Sequence, residues 1–256
     1  MTATPELSQR LIRKGALTSE TYEIFRLWDE AASANTNLAA ISQRLFKTLG
    51  WAREVQATLR RRFRDIHAAA PLILLAKQGL PFEEWRSCLL LWVGVRERFF
   101  QEFVVGWLYP RFEEGVLRVR VDDARPFVTR LWREMHGHAR RQSEYGEVRT
   151  TRDVLRMARD FGILSGDGPA KTFASFHLSD RCFLFWAHAI AEQQAGTARI
   201  PASPLWRLAL MRSSDVEREL LRLHQFRRLE YHVAGSLVQL ELPCRSASEY
   251  AERMVA

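Results

Sequence analysis

The chain has 256 residues, 47% of them hydrophobic, with a formal net charge of +8 and a sequence pI near 9.9. That length holds one large domain or two small ones with buried cores, and the basic balance favours a polyanionic partner such as nucleic acid. The most apolar stretch, residues 88–95, is eight residues long between Arg86 and Arg96; a membrane span needs roughly 20, so none is expected.

Residues 6–112 read as helical. Leu17-Thr18-Ser19-Glu20 opens a segment in which Tyr22, Phe25 and Trp28 are apolar at helical spacing. Residues 35–49 follow, with Leu38, Ile41, Leu45 and Leu49 as their stripe, and residues 51–66 form the next helix. Pro71 and then Gly79-Leu80-Pro81 punctuate the chain. Residues 82–93 and 96–109 read as buried helices, because Trp85, Trp92, Phe99, Phe103 and Trp107 cannot all face water, and Pro110 is expected to stop the second. A succession of helices without strands implies a compact bundle.

Residues 116–121 alternate apolar and Arg, as a short strand or an extended connector would. Residues 122–135 suit a helix, and the polar, glycine-bearing stretch 136–148 suits a linker or exposed loop. Beyond it the pattern changes. Thr150 with Asp153 resembles a capping box, so a helix is expected over 151–161, ending at Phe161-Gly162. Gly166-Asp167-Gly168-Pro169 is a turn between strand-like runs within 163–176. Helices are expected over 180–194 and 204–211. Ser214 with Glu217 is a second capping box for a helix over 215–226, followed by a hairpin over 229–242 and a final helix over 246–254. A helix running at once into a hairpin therefore occurs twice, the layout of a winged-helix nucleic-acid binder. The expected fold is mainly α: an N-terminal helical bundle (1–120), a connecting helix and linker (121–149), and a C-terminal winged-helix-like α+β domain with short β-hairpins (150–256).

The positive charge is concentrated. Between Arg44 and Arg64 seven basic residues stand against one acid, Glu54. On a helical wheel Trp51, Val55, Leu59, Phe63 and Ile66 share one side, Arg53, Arg60 and Arg64 the opposite one, with Arg61 nearby and Arg62 bordering the apolar stripe. With Lys47 just before it, this helix presents a rail of cations whose neutralised phosphates would release counterions; a merely solvated face is the bland alternative. In the helix over 151–161, Val154, Leu155, Ala158 and Phe161 share a side, while Arg152, Arg156 and Arg159 share another; Lys171 in the following hairpin is placed to reach a phosphate. In the second unit Arg218 and Arg222 project away from Val216, Leu220 and Leu223, and Arg227 and Arg228 stand where helix gives way to hairpin, though Glu217, Glu219 and Glu230 dilute the field. Arginine outnumbers lysine 34 to 4, which suits bidentate phosphate and guanine recognition and is equally what a GC-rich genome encodes.

Residues that could carry chemistry do not assemble. His136-Gly137-His138 lacks a neighbouring Cys or carboxylate pair, and His177, His188, His224 and His232 are isolated. Cys88, Cys182 and Cys244 are too scattered for a disulfide framework or a zinc site, which points to a reducing compartment. The opening MTATPELSQR lacks the layout of a signal peptide, so a cytoplasmic protein is expected. No phosphate-binding loop, nucleophile elbow, zincin or dinucleotide motif is present. No catalytic residue, metal or cofactor is expected.

Four segments carry a family resemblance: Ile12–Leu17 with Phe25-Arg26-Leu27-Trp28-Asp29; the basic helix ending Leu59-Arg60-Arg61-Arg62-Phe63; FVVGWLYPRFEEGVLRV over 103–119; and VLRMARDFGIL over 154–164 with the hairpin LEYHVAGSLVQLELP. Together they span most of the chain, which resembles the BrxA family of bacteriophage-exclusion (BREX) defence systems. The resemblance implies a two-domain, mainly helical, non-enzymatic DNA-binding protein working beside a methyltransferase, an ATPase and a phosphatase-like protein, with an N-terminal bundle similar to the RNA-binding antitermination factor NusB. The family's segment over 46–53 is richer in Lys and Arg, and this chain has a longer link over 125–150. The expected function is an accessory protein that grips DNA, double-stranded and with low sequence specificity, mainly through phosphates; other BREX proteins are possible partners. A protein-docking scaffold or an RNA binder is the alternative.

Overall fold

The computed structural model describes residues 9–137, 139–194, 197, 199–235 and 237–255. The sequence expectations for residues 1–8, His138 and Ser236 lie outside the described residues.

Helices α1 (Gln9–Ile12), α2 (Thr18–Arg26), α3 (Ala34–Leu45), α4 (Leu49–Arg62), α5 (Ala70–Lys77) and α6 (Phe82–Arg96) follow one another without an intervening strand. Polar side chains set two of their starts: the Ser33 hydroxyl accepts from the Thr36 amide and the Thr48 hydroxyl from the Trp51 amide, each at 3.2 Å, satisfying amides that have no helical partner. Their apolar sides meet in an aromatic core in which Phe25 packs edge-on to Phe63 at 4.9 Å and Phe63 lies 4.6 Å from Trp92.

A longer helical rod then runs through α7 (Arg98–Phe103), a π turn (Val104–Leu108) and α8 (Tyr109–Glu113). The stop expected at Pro110 is therefore corrected. The Tyr109 amide bonds the Val104 carbonyl, five residues back. That widened turn accommodates a ring that carries no amide donor, so the helix passes through the proline.

The run 116–121 yields β1 (Arg118–Arg120), with Val119 buried between two exposed arginines. After α9 (Val121–His136) and α10 (Glu144–Asp160) come β2 (Leu164–Ser165) and β3 (Ala170–Phe173). The three strands form one antiparallel sheet in the order β1-β3-β2, with Arg118 opposite Thr172 and Leu164 opposite Phe173. The cap expected at Thr150 is corrected too. The helix starts at Ser143, whose hydroxyl accepts from the Gly146 amide at 3.2 Å. Thr150 and Thr151 sit inside α10, buried, their hydroxyls donating to the carbonyls of Gly146 and Glu147 at 2.8 Å. Hydroxyls satisfied within the helix look, in sequence, the same as hydroxyls that cap one, so part of the expected linker is helix.

The chain continues through α11 (Asp180–Gln194), a 3₁₀ turn (Pro204–Ala209), α12 (Ser213–Gln225), the hairpin β4 (Glu230–Ala234) and β5 (Leu237–Glu241), and α13 (Ala247–Val255). The cap of α12 lies just before Ser214: the Asp215 carboxylate accepts from the Arg212 amide at 3.0 Å. One cluster of buried side chains runs from Ile12 to Ala251. Helix α13 packs on α5 and α11 on α6; the Trp186 indole donates to the Ser87 carbonyl at 3.0 Å.

Two buried polar groups are tied into this core. Arg62, fully buried at the end of α4, donates through Nε to Glu97 Oε1 at 2.6 Å, and through its other nitrogens to the carbonyls of Ala16 and Leu11. Replacing it by Ala leaves the Glu97 carboxylate buried without its cation; we expect urea denaturation to show a loss of about 3–5 kcal/mol. His188 accepts from the Cys244 amide at Nε2, 3.2 Å away, so its proton sits on Nδ1 facing the Leu184 carbonyl at 2.7 Å. Burial pushes this imidazole below its ordinary value of 6.5, so the unfolded chain takes up a proton first. Stability from this site is complete above about pH 6.5 and declines as pH falls below it. A stability–pH profile of His188→Gln should be flatter than wild type in that acid range.

Candidate nucleic-acid interface

Helix α10, the turn between β2 and β3, and the end of β1 enclose a cleft of about 790 Å³ lined by Arg120, Asp122, Arg152, Arg156, Arg159 and Lys171, among others. The sequence builds it simply. Val154, Met157, Ala158 and Phe161 turn into the core, which leaves Arg152, Arg156 and Arg159 facing the cleft. The helix then ends sharply: Gly162 adopts φ +79°, with its amide on the Arg159 carbonyl at 2.8 Å and the Ile163 amide on the Ala158 carbonyl at 3.0 Å. This brings the turn 166–169 back alongside α10.

The cations of the cleft differ in how they are held. Arg152 and Arg120 are exposed and make no ion pair among the described residues. Arg156 pairs with Asp153 at 3.5 Å and donates to the Arg13 carbonyl at 2.7 Å. Arg159 bridges Asp160 at 3.1 Å and Asp167, at the exposed tip of the turn, at 2.6 Å. Lys171 is buried, and its ammonium donates to the carbonyls of Gly166 at 2.9 Å and Gly168 at 3.4 Å. It braces the turn instead of reaching out; burial, and then Arg159, hold its pKa below the ordinary lysine value. Burial pushes the Asp153 carboxyl upward, against the pull of Arg156, Arg149, Arg13 and Lys14 around it.

Lys47, Arg53, Arg60 and Arg64 are exposed on α4 and the residues flanking it, and Arg61 is half-buried. Arg62, one residue on, is turned fully inward. The two basic helices are joined by the segment after α1. The Ala16 amide bonds the Asp160 carboxylate at 3.0 Å, while Lys14 reaches Glu54 of α4 at 3.3 Å. Gly15 makes the crossing possible: it adopts φ +78°, and any side chain there would run into the Asp160 carboxylate. Arg13 and Lys14 thus lie between the α10 cleft and the α4 rail. Sequence reasoning missed them, with Arg120 and Arg149, because each stands outside the dense charge run and takes its place from tertiary contacts.

In the second helix–hairpin unit Arg218 pairs with Asp215 at 3.2 Å, and Arg222 with Asp180 and Glu219, the latter at 2.8 Å. These carboxylates, Asp180 first, hold the Arg222 pKa above its ordinary value. Arg227, at φ +54°, and Arg228 are exposed where helix meets hairpin. Around them Leu221, Phe226 and Val233 are exposed as well. Among the described residues no group of three His, Cys, Asp or Glu side chains is placed to hold a metal ion, and no described helix is long and apolar enough to cross a membrane.

The family model described as BrxA aligns with residues 6–188, well over half of the chain, from before α1 into α11. No curated protein and no solved structure matches the chain.

Proposed function

The chain belongs to the BrxA family, which implies a role in BREX phage defence, and from that premise we propose that it is a non-enzymatic, DNA-binding accessory protein. It holds duplex DNA mainly through phosphates, with low sequence preference. The observation that carries this reading is the cleft beside α10. Strand β1, helices α9 and α10, and the hairpin β2–β3 follow the order of a winged helix, in which the helix before the hairpin enters the major groove and the hairpin tip meets the backbone. Arg120 and Arg152 flank that groove without carboxylate partners among the described residues. The Arg13–Lys14 crossing extends the positive surface to the α4 rail.

A second reading attaches to the second helix–hairpin unit. Its helix arginines are already engaged by Asp215, Asp180 and Glu219, whereas Leu221, Phe226 and Val233 face solvent. The exposed apolar side chains favour docking onto another protein of the defence system over contact with DNA.

The test is a mobility-shift series across salt. Each neutralised phosphate should lower log K by about 0.9 per decade of salt. Replacing Arg120 and Arg152 together by Glu should weaken duplex binding at least tenfold for any sequence and reduce the salt slope by roughly 2. Affinity that stays flat with salt would overturn the proposal. Asp167→Ala provides the opposite sign. An exposed ion pair is worth about 0.2–1 kcal/mol, so freeing Arg159 should tighten duplex binding by up to about fivefold; weaker binding would place the turn away from the phosphates.

A further inference from the structure

Seven of the eight tryptophans are buried: Trp28, Trp85, Trp92, Trp107, Trp132, Trp186 and Trp206 are all 9% exposed or less. Trp51 is the exception, at 36%. It occupies the first turn of α4, where the Thr48 cap fixes the backbone, and it was expected to lie in the apolar stripe with Val55 and Leu59. Those two are fully buried; Trp51, one turn before Val55, overhangs the end of the core. Leu49 beside it is 65% exposed. Arg44, at the end of α3, and Lys47, in the connection to α4, precede this corner and are exposed, and residues 44–53 contain no acid. Trp51 and Glu54 are three residues apart and so share a side of the helix, and Glu54 is where Lys14 arrives from the α10 side.

A flat, partly exposed indole among cations has a specific use. Cations alone serve the outside of a duplex, whose base faces are hidden in the stack. An exposed aromatic ring offers what an unpaired base lacks, a surface to stack on, while neighbouring cations take the flanking phosphates. An anionic membrane would need a broad apolar helix face, and that face of α4, Val55 and Leu59, is consumed by the core. The geometry points to Trp51 as a stacking platform for an unpaired nucleotide, with Arg44 and Lys47 of the α3–α4 connection taking the flanking phosphates. Resting on the DNA-binding reading above, it places single-stranded nucleic acid at the α3–α4 corner, with duplex at the α10 cleft.

Fluorescence tests this directly, since Trp51 is the most exposed indole. Titration with a 20-mer of deoxythymidylate should quench the iodide-accessible emission of the wild-type chain. Trp51→Ala should abolish that quench and weaken single-strand binding by about 5- to 150-fold, with duplex affinity changed less than twofold. Trp51→Phe should restore most of the binding, and a urea unfolding curve of each variant verifies its fold. If Trp51→Ala binds the oligonucleotide as wild type does, or if phosphatidylglycerol vesicles quench Trp51 and the oligonucleotide does not, the platform is overturned. Duplex binding that remains sensitive to Arg120 and Arg152 would then leave the DNA-binding reading standing; failure of the wild-type chain on both DNAs would remove that reading as well.

Discussion

Arg62 is the constraint on which the arrangement of basic surfaces depends. Its guanidinium, closed off from solvent, ties the end of α4 to Glu97 between α6 and α7, and to two carbonyls of the N-terminal segment. A buried ion pair contributes little net stability, because desolvating both charges offsets most of their attraction. What it contributes is position. With Leu11 and Ala16 held, the residues between them have one route, and that route takes Arg13 and Lys14 across the gap between α4 and α10. The Ala16 amide then reaches Asp160, and Arg156 reaches the Arg13 carbonyl. One inward arginine thereby fixes the register of the outward ones.

This explains what was legible in the sequence and what was not. Periodicity exposes which side of a helix is apolar, because burial of Val154, Ala158 and Phe161 is a local property of spacing. It exposes exposed cations equally well, since Arg53, Arg60 and Arg152 need no partner to be where they are. It sets Arg62 at the border of the apolar stripe, apart from Arg60 and Arg61, but cannot name its partner, because the carboxylate that holds Arg62 inward lies 35 residues away. The same limit hid the pairing of β1 with β3, which is set across two intervening helices, and the bracing role of Lys171, which looks in sequence like any solvent-facing lysine. Thr150 misled for a different reason: a threonine followed three residues later by an acid describes a cap, but an amphipathic helix whose hydroxyls bond back to their own turn carries the same letters. Pro110 was read as a stop because a regular α-helix has no place for it; the π turn before it is a tertiary accommodation that leaves no mark in composition.

The cleft beside α10 is not a bare row of positive charges, and that bears on how it would work. Arg156 and Arg159 are held by Asp153, Asp160 and Asp167. Such part-exposed pairs are worth at most about 1 kcal/mol each, whereas a phosphate offers an arginine two parallel charge-assisted bonds. Exchange of carboxylate for phosphate is therefore favourable and small in its cost. In the free protein the same carboxylates keep the guanidinium groups ordered, so less side-chain freedom remains to be lost on binding. In the second helix–hairpin unit Arg222 is likewise held by two acids, Asp180 and Glu219, but the exposed neighbours are apolar. Two units with one layout thus present different surfaces: the first adds Arg120 and Arg152, without ion pairs among the described residues, and the second adds the exposed apolar side chains of Leu221, Phe226 and Val233.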